Sequence, residues 1–271
     1  MIEDSLTEKI RKNPDGYIKI HSDEAIGLLG GHAFHCLISR GKGLTDENKL
    51  NLVKGRIKYR IYEGQARNLI YNEETHVQGC YEFVPSSFGR IEDAINYILR
   101  LKYKTGHEIK NFVDLGCGFG NTLILAYWIS KTLGFSLENY VGIEHNKKAC
   151  KVAEKFIREF VPWDDCEKFS IICGDITKPL PEVCRKDSFL FSYVPMHDQE
   201  LLEALYNNVL DSIKSNCLLM ETDAKSYYPH LIKKRGKKIG FVDTSDKISK
   251  YHSVWENRPY YKNKTGFFIL N

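Results

Sequence analysis

From Asn111 onward the chain alternates short apolar runs with amphipathic helical stretches, and this alternation constrains the fold more than any other feature. Residues 112–115, 140–143, 169–173, 189–193 and 217–220 read as strands, each a short apolar run. Residues 121–133, 147–160 and 201–213 read as helices between them. The stretch 147–160 is the clearest, since Ala149, Val152, Ala153, Phe156, Ile157 and Phe160 recur at helical spacing and build one apolar face. Strands connected through helices run parallel, because each crossover returns the chain to the same end of the sheet. The expected fold is α/β, a doubly wound and mostly parallel sheet. Residues 237–242, then 250–255 against 266–270, read as strands without full helices between them, and predict an antiparallel pair closing one sheet edge.

The first part of the chain is less regular. Leu50, Val53, Ile57 and Ile61 step by three and four, which predicts a helix over about residues 46–68. Gly30 and Gly31, after Ile26, Leu28 and Leu29, mark a turn or loop. A second helix opens near Ser86 or Ser87, either of which can cap it. That helix places Ile91, Ala94, Ile95, Ile98 and Leu99 on one face and ends near Gly106. Residues 1–80 are expected to form a mainly helical extension, a lid or a substrate-recognition region, ahead of a main domain spanning residues 81–271.

Composition removes several classes. The chain of 271 residues is 42% hydrophobic and 27% charged, which supports a full core and argues against bulk disorder. No run of 18 apolar residues is available to span a membrane, and residues 1–17 lack the apolar stretch of a secretory signal, so the cytoplasm is the expected location. Eight cysteines, at 36, 80, 117, 150, 166, 173, 184 and 217, form no CxxC pair and read as reduced, mostly buried thiols. His32, His35 and Cys36 cluster locally, but no second group at zinc spacing completes them, so no metal is expected. Net charge is uneven, at +2 over residues 1–110, −6 over 111–224 and +8 over 225–271. Five of the six residues 233–238 are basic, with Tyr227, Tyr228, Tyr260 and Tyr261 in the same region. This fits a nucleic-acid groove or a solvated helix end equally well.

The chemistry concentrates at strand ends. In Asn111-Phe-Val-Asp-Leu-Gly-Cys-Gly-Phe-Gly-Asn121 a strand runs into a glycine-rich turn and then a helix. Gly116, Gly118 and Gly120 allow close backbone approach to a ligand at the carboxyl edge of the sheet. A dinucleotide fingerprint would need glycine where Asn121 stands, and Asp114 suits a ligand bearing positive charge better than a pyrophosphate. Thirty residues on, the second strand ends in Glu144-His145-Asn146, where a carboxylate can accept both hydroxyls of a ribose. The third ends in Cys173-Gly-Asp175-Ile176, an acceptor beside an apolar side chain, suited to an adenine amino group and ring face. Each acid alone is also an ordinary helix cap.

As a set, over residues 81–271, these motifs resemble the class I, or seven-β-strand, S-adenosylmethionine-dependent methyltransferases, which share a Rossmann-like sheet with a terminal antiparallel pair. The resemblance implies S-adenosyl-L-methionine as cofactor. It places Asp114, Gly116, Cys117, Gly118, Gly120 and Asn121 at the methionine moiety, Glu144 and His145 at the ribose, and Asp175 with Ile176 at the adenine. After the fourth strand stands Tyr193-Val-Pro-Met-His197-Asp198, without the motif of adenine or amide methylases and without the cysteine of the cytosine-C5 type. Tyr193 and His197 are the candidate catalytic groups there, Tyr193 also lying beside the cofactor, while Asp198 reads as the cap of the next helix. Tyr81-Glu-Phe-Val-Pro85-Ser-Ser is similar to a segment of the non-SET histone lysine and ATP-synthase-c lysine methyltransferases, in which that loop covers the cofactor and shapes a lysine channel. The resemblance thus implies methyl transfer to a nucleophilic nitrogen or oxygen, with protein lysine favoured over RNA or a small molecule as acceptor. A non-enzymatic fold that binds the cofactor as a scaffold or sensor is the reading from another class. No membrane partner is expected, and the oligomeric state is not legible.

Overall fold

The computed structural model describes residues 88–193, 196, 198–212, 217–221, 237–242 and 265–270, with residues 64, 65, 68 and 86. In chain order the elements are helix α1 (Phe88–Thr105), strand β1 (Asn111–Leu115), α2 (Asn121–Thr132), β2 (Asn139–Glu144), α3 (Lys147–Phe160) and β3 (Phe169–Cys173). Then come β4 (Ser188–Ser192), α4 (Gln199–Ser212), β5 (Cys217–Glu221), β6 (Lys237–Val242) and β7 (Thr265–Leu270). Of the helix expected over residues 46–68, Gly64, Gln65 and Asn68 are described, and they are helical.

Seven strands form one sheet in the order β3-β2-β1-β4-β5-β7-β6. The pairs among β1 to β5 are parallel, and β7 runs antiparallel between β5 and β6. The expected terminal pair therefore exists, with residues 237–242 as its second member; residues 250–255 lie outside the described residues. From β1 the chain steps outward to β2 and β3, then returns to the other side of β1 as β4. The carboxyl ends of β1 and β4 flank this reversal, where open α/β sheets leave a crevice.

Alternation along the strands splits the core in two. On one face Phe112, Tyr140, Phe189 and Phe191 meet apolar residues of α1, α2 and α3, including the expected Ile91, Ala94, Ile95, Ile98 and Leu99. On the other, Val113, Leu115, Val141, Ile143 and Leu190 pack with Leu205, Tyr206 and Val209 of α4. Four of the six described cysteines are buried and all six are free thiols, with Cys166 partly covered and Cys173 exposed. No helix among the described residues is long and apolar enough to cross a membrane.

Two local devices carry testable weight. The Asn146 side chain accepts hydrogen bonds from the N–H groups of Lys148 (2.9 Å) and Ala149 (3.1 Å), closing the amino end of α3. Asn146→Ala is expected to cost about 1 kcal/mol of stability, measured by urea unfolding. Asp165, in the 3₁₀ turn Trp163–Lys168, accepts from Lys131 Nζ (2.6 Å), Lys168 Nζ (2.6 Å) and the Tyr127 hydroxyl (2.5 Å), tying that turn to α2. The hydrogen bond from Lys131, then those from Lys168 and Tyr127, hold the Asp165 carboxyl well below its ordinary range. A depressed folded-state pKa means this stabilisation is present above about pH 4 and is lost as pH falls further. The melting-temperature advantage of the wild type over Asp165→Asn is accordingly expected to shrink between pH 6 and pH 2.

Candidate ligand site at the carboxyl edge of the sheet

The turn after β1 is pinned from below by β2. The N–H groups of Gly116 and Cys117 both donate to the Ile143 carbonyl, at 2.9 and 3.0 Å, and the Gly120 N–H donates back to the Cys117 carbonyl. This path needs positive φ at Gly116 (87°), Gly118 (54°) and Gly120 (82°), a region that side chains bearing Cβ rarely occupy. The three glycines of the motif thus serve the backbone path itself.

Glu144 completes the turn. One carboxylate oxygen accepts from the Gly118 N–H (2.9 Å) and the other from the Asn146 N–H (2.9 Å). Burial raises its pKa, offset in part by the Asn146 and Gly118 hydrogen bonds. A carboxylate offers about four acceptor positions, so Glu144 keeps lone pairs for a ligand while anchoring the turn. Sequence reading assigned it the ligand alone and missed the anchoring.

Asp114, Gly142 and Glu144 share one face of the sheet, since Asp114 is the register partner of Gly142 and side chains alternate along a strand. Asp114 is 3% exposed. Burial pushes its pKa up to about 7, with a Thr122 hydrogen bond opposing and the Glu144 charge adding to the rise. Beside it, at the start of α2, Asn121 is 5% exposed and its Oδ1 has no hydrogen-bond partner. A buried acceptor without a donor is costly. Asp114 near the end of β1 and Asn121 at the start of α2 are thus two buried acceptors on either side of the glycine turn, chemistry that suits a cationic group.

The remaining expected residues divide. Cys117 is buried against Gly142, and burial foremost, then the Glu144 and Asp114 charges, pushes its thiol pKa well up. Its N–H is committed to the Ile143 carbonyl of β2 and its carbonyl to the Gly120 N–H. His145 is exposed at the end of β2. Asp175 is exposed and accepts from the Thr177 N–H (2.8 Å) and hydroxyl (2.6 Å). Burial raises its pKa, but these Thr177 bonds, with His145 and Lys178, hold it below the ordinary value. Ile176 is buried on the α4 side of the sheet. Tyr193 follows β4 and is half-buried, with the Arg90 guanidinium stacked 4.3 Å from its ring centre. Asp198 Oδ1 accepts from the Leu201 N–H (3.0 Å), the capping role expected of it. His197, the segment 81–85, the His32–His35–Cys36 cluster and residues 233–236 lie outside the described residues. Among the described residues no group of three His, Cys, Asp or Glu is placed to hold a metal.

Sequence reading did not single out Arg90, which stacks on Tyr193 just after β4. It sits on an amphipathic helix among apolar neighbours, and nothing in its spacing points to the β4 end; only the tertiary fold brings it there.

No protein-family model matches the chain, and no curated protein matches it. Solved structures do. A candidate class I S-adenosylmethionine-dependent methyltransferase from Listeria monocytogenes aligns over 98% of this chain and 88% of its own, at 13% identity and a TM-score of 0.51. The N-methyltransferase NodS from Bradyrhizobium japonicum aligns over 68% of this chain and 96% of its own, at 12% identity and a TM-score of 0.45. At such identities the likeness shows the fold: the chain has the Rossmann-like α/β architecture found in class I methyltransferases.

Proposed function

We propose that the chain is an S-adenosylmethionine-dependent methyltransferase that methylates a nucleophilic nitrogen or oxygen, with protein lysine the favoured acceptor. The observation that carries this reading is the convergence of Asp114, Glu144 and Asp175 at or just beyond three adjacent strand ends around one glycine turn. The residues fit that cofactor. Asp114 and the unpartnered Asn121 oxygen suit its ammonium, the free lone pairs of Glu144 suit ribose hydroxyls, and Asp175 with Ile176 suits the adenine. The class of the fold supports the same assignment.

When bound, the cofactor supplies an electrophilic methyl group on a sulfonium. The chain's own task is alignment, exclusion of water and delivery of an unprotonated nucleophile. Asp114 and Asn121 orient the amino-acid end, Glu144 holds both the sugar and the Gly118 N–H, and Tyr193 lines the edge beside β4, where the acceptor approaches. A lysine acceptor must shed its proton, which a dry channel favours by lowering the amine pKa. The lean to lysine rests on the resemblance of Tyr81-Glu-Phe-Val-Pro85-Ser86 noted above.

The test is incubation with methyl-labelled S-adenosylmethionine and fractionated cell lysate. Label in nuclease-resistant protein that appears as methyl-lysine on hydrolysis is expected. Label in RNA alone would retire the lysine assignment, and no label in any acceptor, large or small, would contradict the enzyme.

A further inference from the structure

Two thiols beside Glu144 have no part in the cofactor contacts proposed above. Cys173 ends β3 with its side chain exposed, while Cys150, in the first turn of α3, is 1% exposed. The fold brings them together. Cys173 is the register partner of Glu144. The Cys150 thiol donates to the Glu144 carbonyl (3.4 Å), which also accepts from the Gly174 N–H (3.0 Å). Alternation along β3 puts Cys173 on the face of Ile171, which packs against the core shared with Val152 and Phe156 of α3. There the Cys150 and Cys173 side chains share a hydrogen bond, and both remain free thiols.

The two are not equivalent. Burial foremost, then the hydrogen bond and charge of Cys173, push the Cys150 thiol up. The thiolate is the reactive form, so Cys150 waits protonated while Cys173 meets solvent. An oxidant therefore reaches Cys173 first, and Cys150 stands where a resolving thiol must stand.

We propose that Cys150 and Cys173 form an oxidation site, a thiol pair that peroxide converts to a disulfide and that thereby controls cofactor affinity. The Cys173 sulfur attacks one peroxide oxygen, the O–O bond breaks, and the leaving oxygen takes the thiol proton and departs as water. The Cys150 sulfur then attacks the resulting sulfenic acid, the S–O bond breaks, and that oxygen leaves with the Cys150 proton as a second water. Two thiols lose two electrons and the peroxide gains them. Disulfide sulfurs stand about 2 Å apart, closer than hydrogen-bonded thiols, so the bond draws the end of β3 onto the first turn of α3. It also removes the proton that Cys150 donates to the Glu144 carbonyl. Gly174 and Asp175 follow Cys173 directly, so the edge assigned to the adenosine is the part displaced. The effect on affinity rests on the methyltransferase reading; the disulfide itself does not.

The test treats the reduced full chain with hydrogen peroxide, maps its disulfides by mass spectrometry without reduction, and titrates S-adenosylhomocysteine calorimetrically before and after. A Cys150–Cys173 link is expected, with affinity lowered about tenfold and both changes reversed by dithiothreitol. Cys173→Ser should keep its affinity through the same treatment. Cys150→Ala should stop at the sulfenic acid, captured on Cys173 by dimedone. Peroxide-treated wild type with both thiols free, or with either joined to another cysteine, overturns the pair. A Cys150–Cys173 disulfide with unchanged affinity, or an equal loss of affinity in Cys173→Ser, overturns the control. A reduced wild type that does not bind S-adenosylhomocysteine sinks the methyltransferase reading and the effect on affinity with it, while the disulfide map still decides the pair.

Discussion

Asp114→Ala is expected to lower affinity for S-adenosylhomocysteine at least a hundredfold at pH 8, and Asp114→Asn to erase the pH dependence of binding. The cause is the carboxyl's environment. Burial raises its pKa to about 7, against an opposing Thr122 hydrogen bond, with the Glu144 charge adding to the rise. In the free protein Asp114 is therefore largely protonated at pH 6 and ionised at pH 8. A ligand ammonium favours the ionised form, so binding below pH 7 must also release a proton. Wild-type affinity should then climb about tenfold per pH unit between pH 5 and pH 7 and level off above. Stability runs the other way: a raised folded-state pKa means stability present at low pH is lost as pH rises from about 4 to 7. Ligand-free Asp114→Asn should thus melt no lower than wild type at pH 8. Calorimetric titration at four pH values, with melting curves alongside, checks both directions; a wild-type affinity flat from pH 5 to pH 8 would show that Asp114 is not at the cationic group.

Gly142→Ala is expected to destabilise the fold by about 1–3 kcal/mol, the range for an overpacked interior, and to weaken cofactor binding through the same displacement. A Cβ at this position would stand 2.5 Å from Cys117 Sγ, 2.9 Å from Cys117 Cβ and 3.0 Å from Ile171 Cδ1. Cys117 cannot retreat freely, because its N–H is bonded to the Ile143 carbonyl and its own carbonyl accepts from Gly120. The displaced element is therefore the turn that meets Glu144. Cys117→Ala in the same chain removes the sulfur but leaves Cys117's Cβ contact, so it should restore part of the stability, and the two changes should be non-additive. Urea unfolding of the four proteins measures this. A Gly142→Ala protein as stable as wild type would mean that the turn is not braced on β2.

Much of this was legible in the chain because the relevant signals are local. The apolar face of α3, the short strands and the run from Asp114 to Asn121 each lie within one element and its adjoining turn, where periodicity and glycine spacing act directly. The contacts of Gly142 and Arg90 were not legible, for a common reason. Gly142 matters because parallel register sets it opposite Asp114 and under Cys117, and Arg90 because α1 packs its first turn against the residue after β4. Neither relation has a counterpart in sequence spacing. Glu144 is intermediate: its place at a strand end was readable, while its bond to the Gly118 N–H, across 26 positions, was not. The terminal strands show the same limit, since alternation marks strands but does not choose which of two candidate runs pairs with Thr265–Leu270.

The central claim is that the glycine turn, with Glu144 beneath it, is where the cofactor sits. Backbone amide resonances followed by NMR during titration with S-adenosylhomocysteine test that location most directly. Saturable one-to-one shifts at Gly116, Gly118, Gly120 and His145 are expected. Saturation without movement at these amides, or no binding at millimolar ligand, would contradict it.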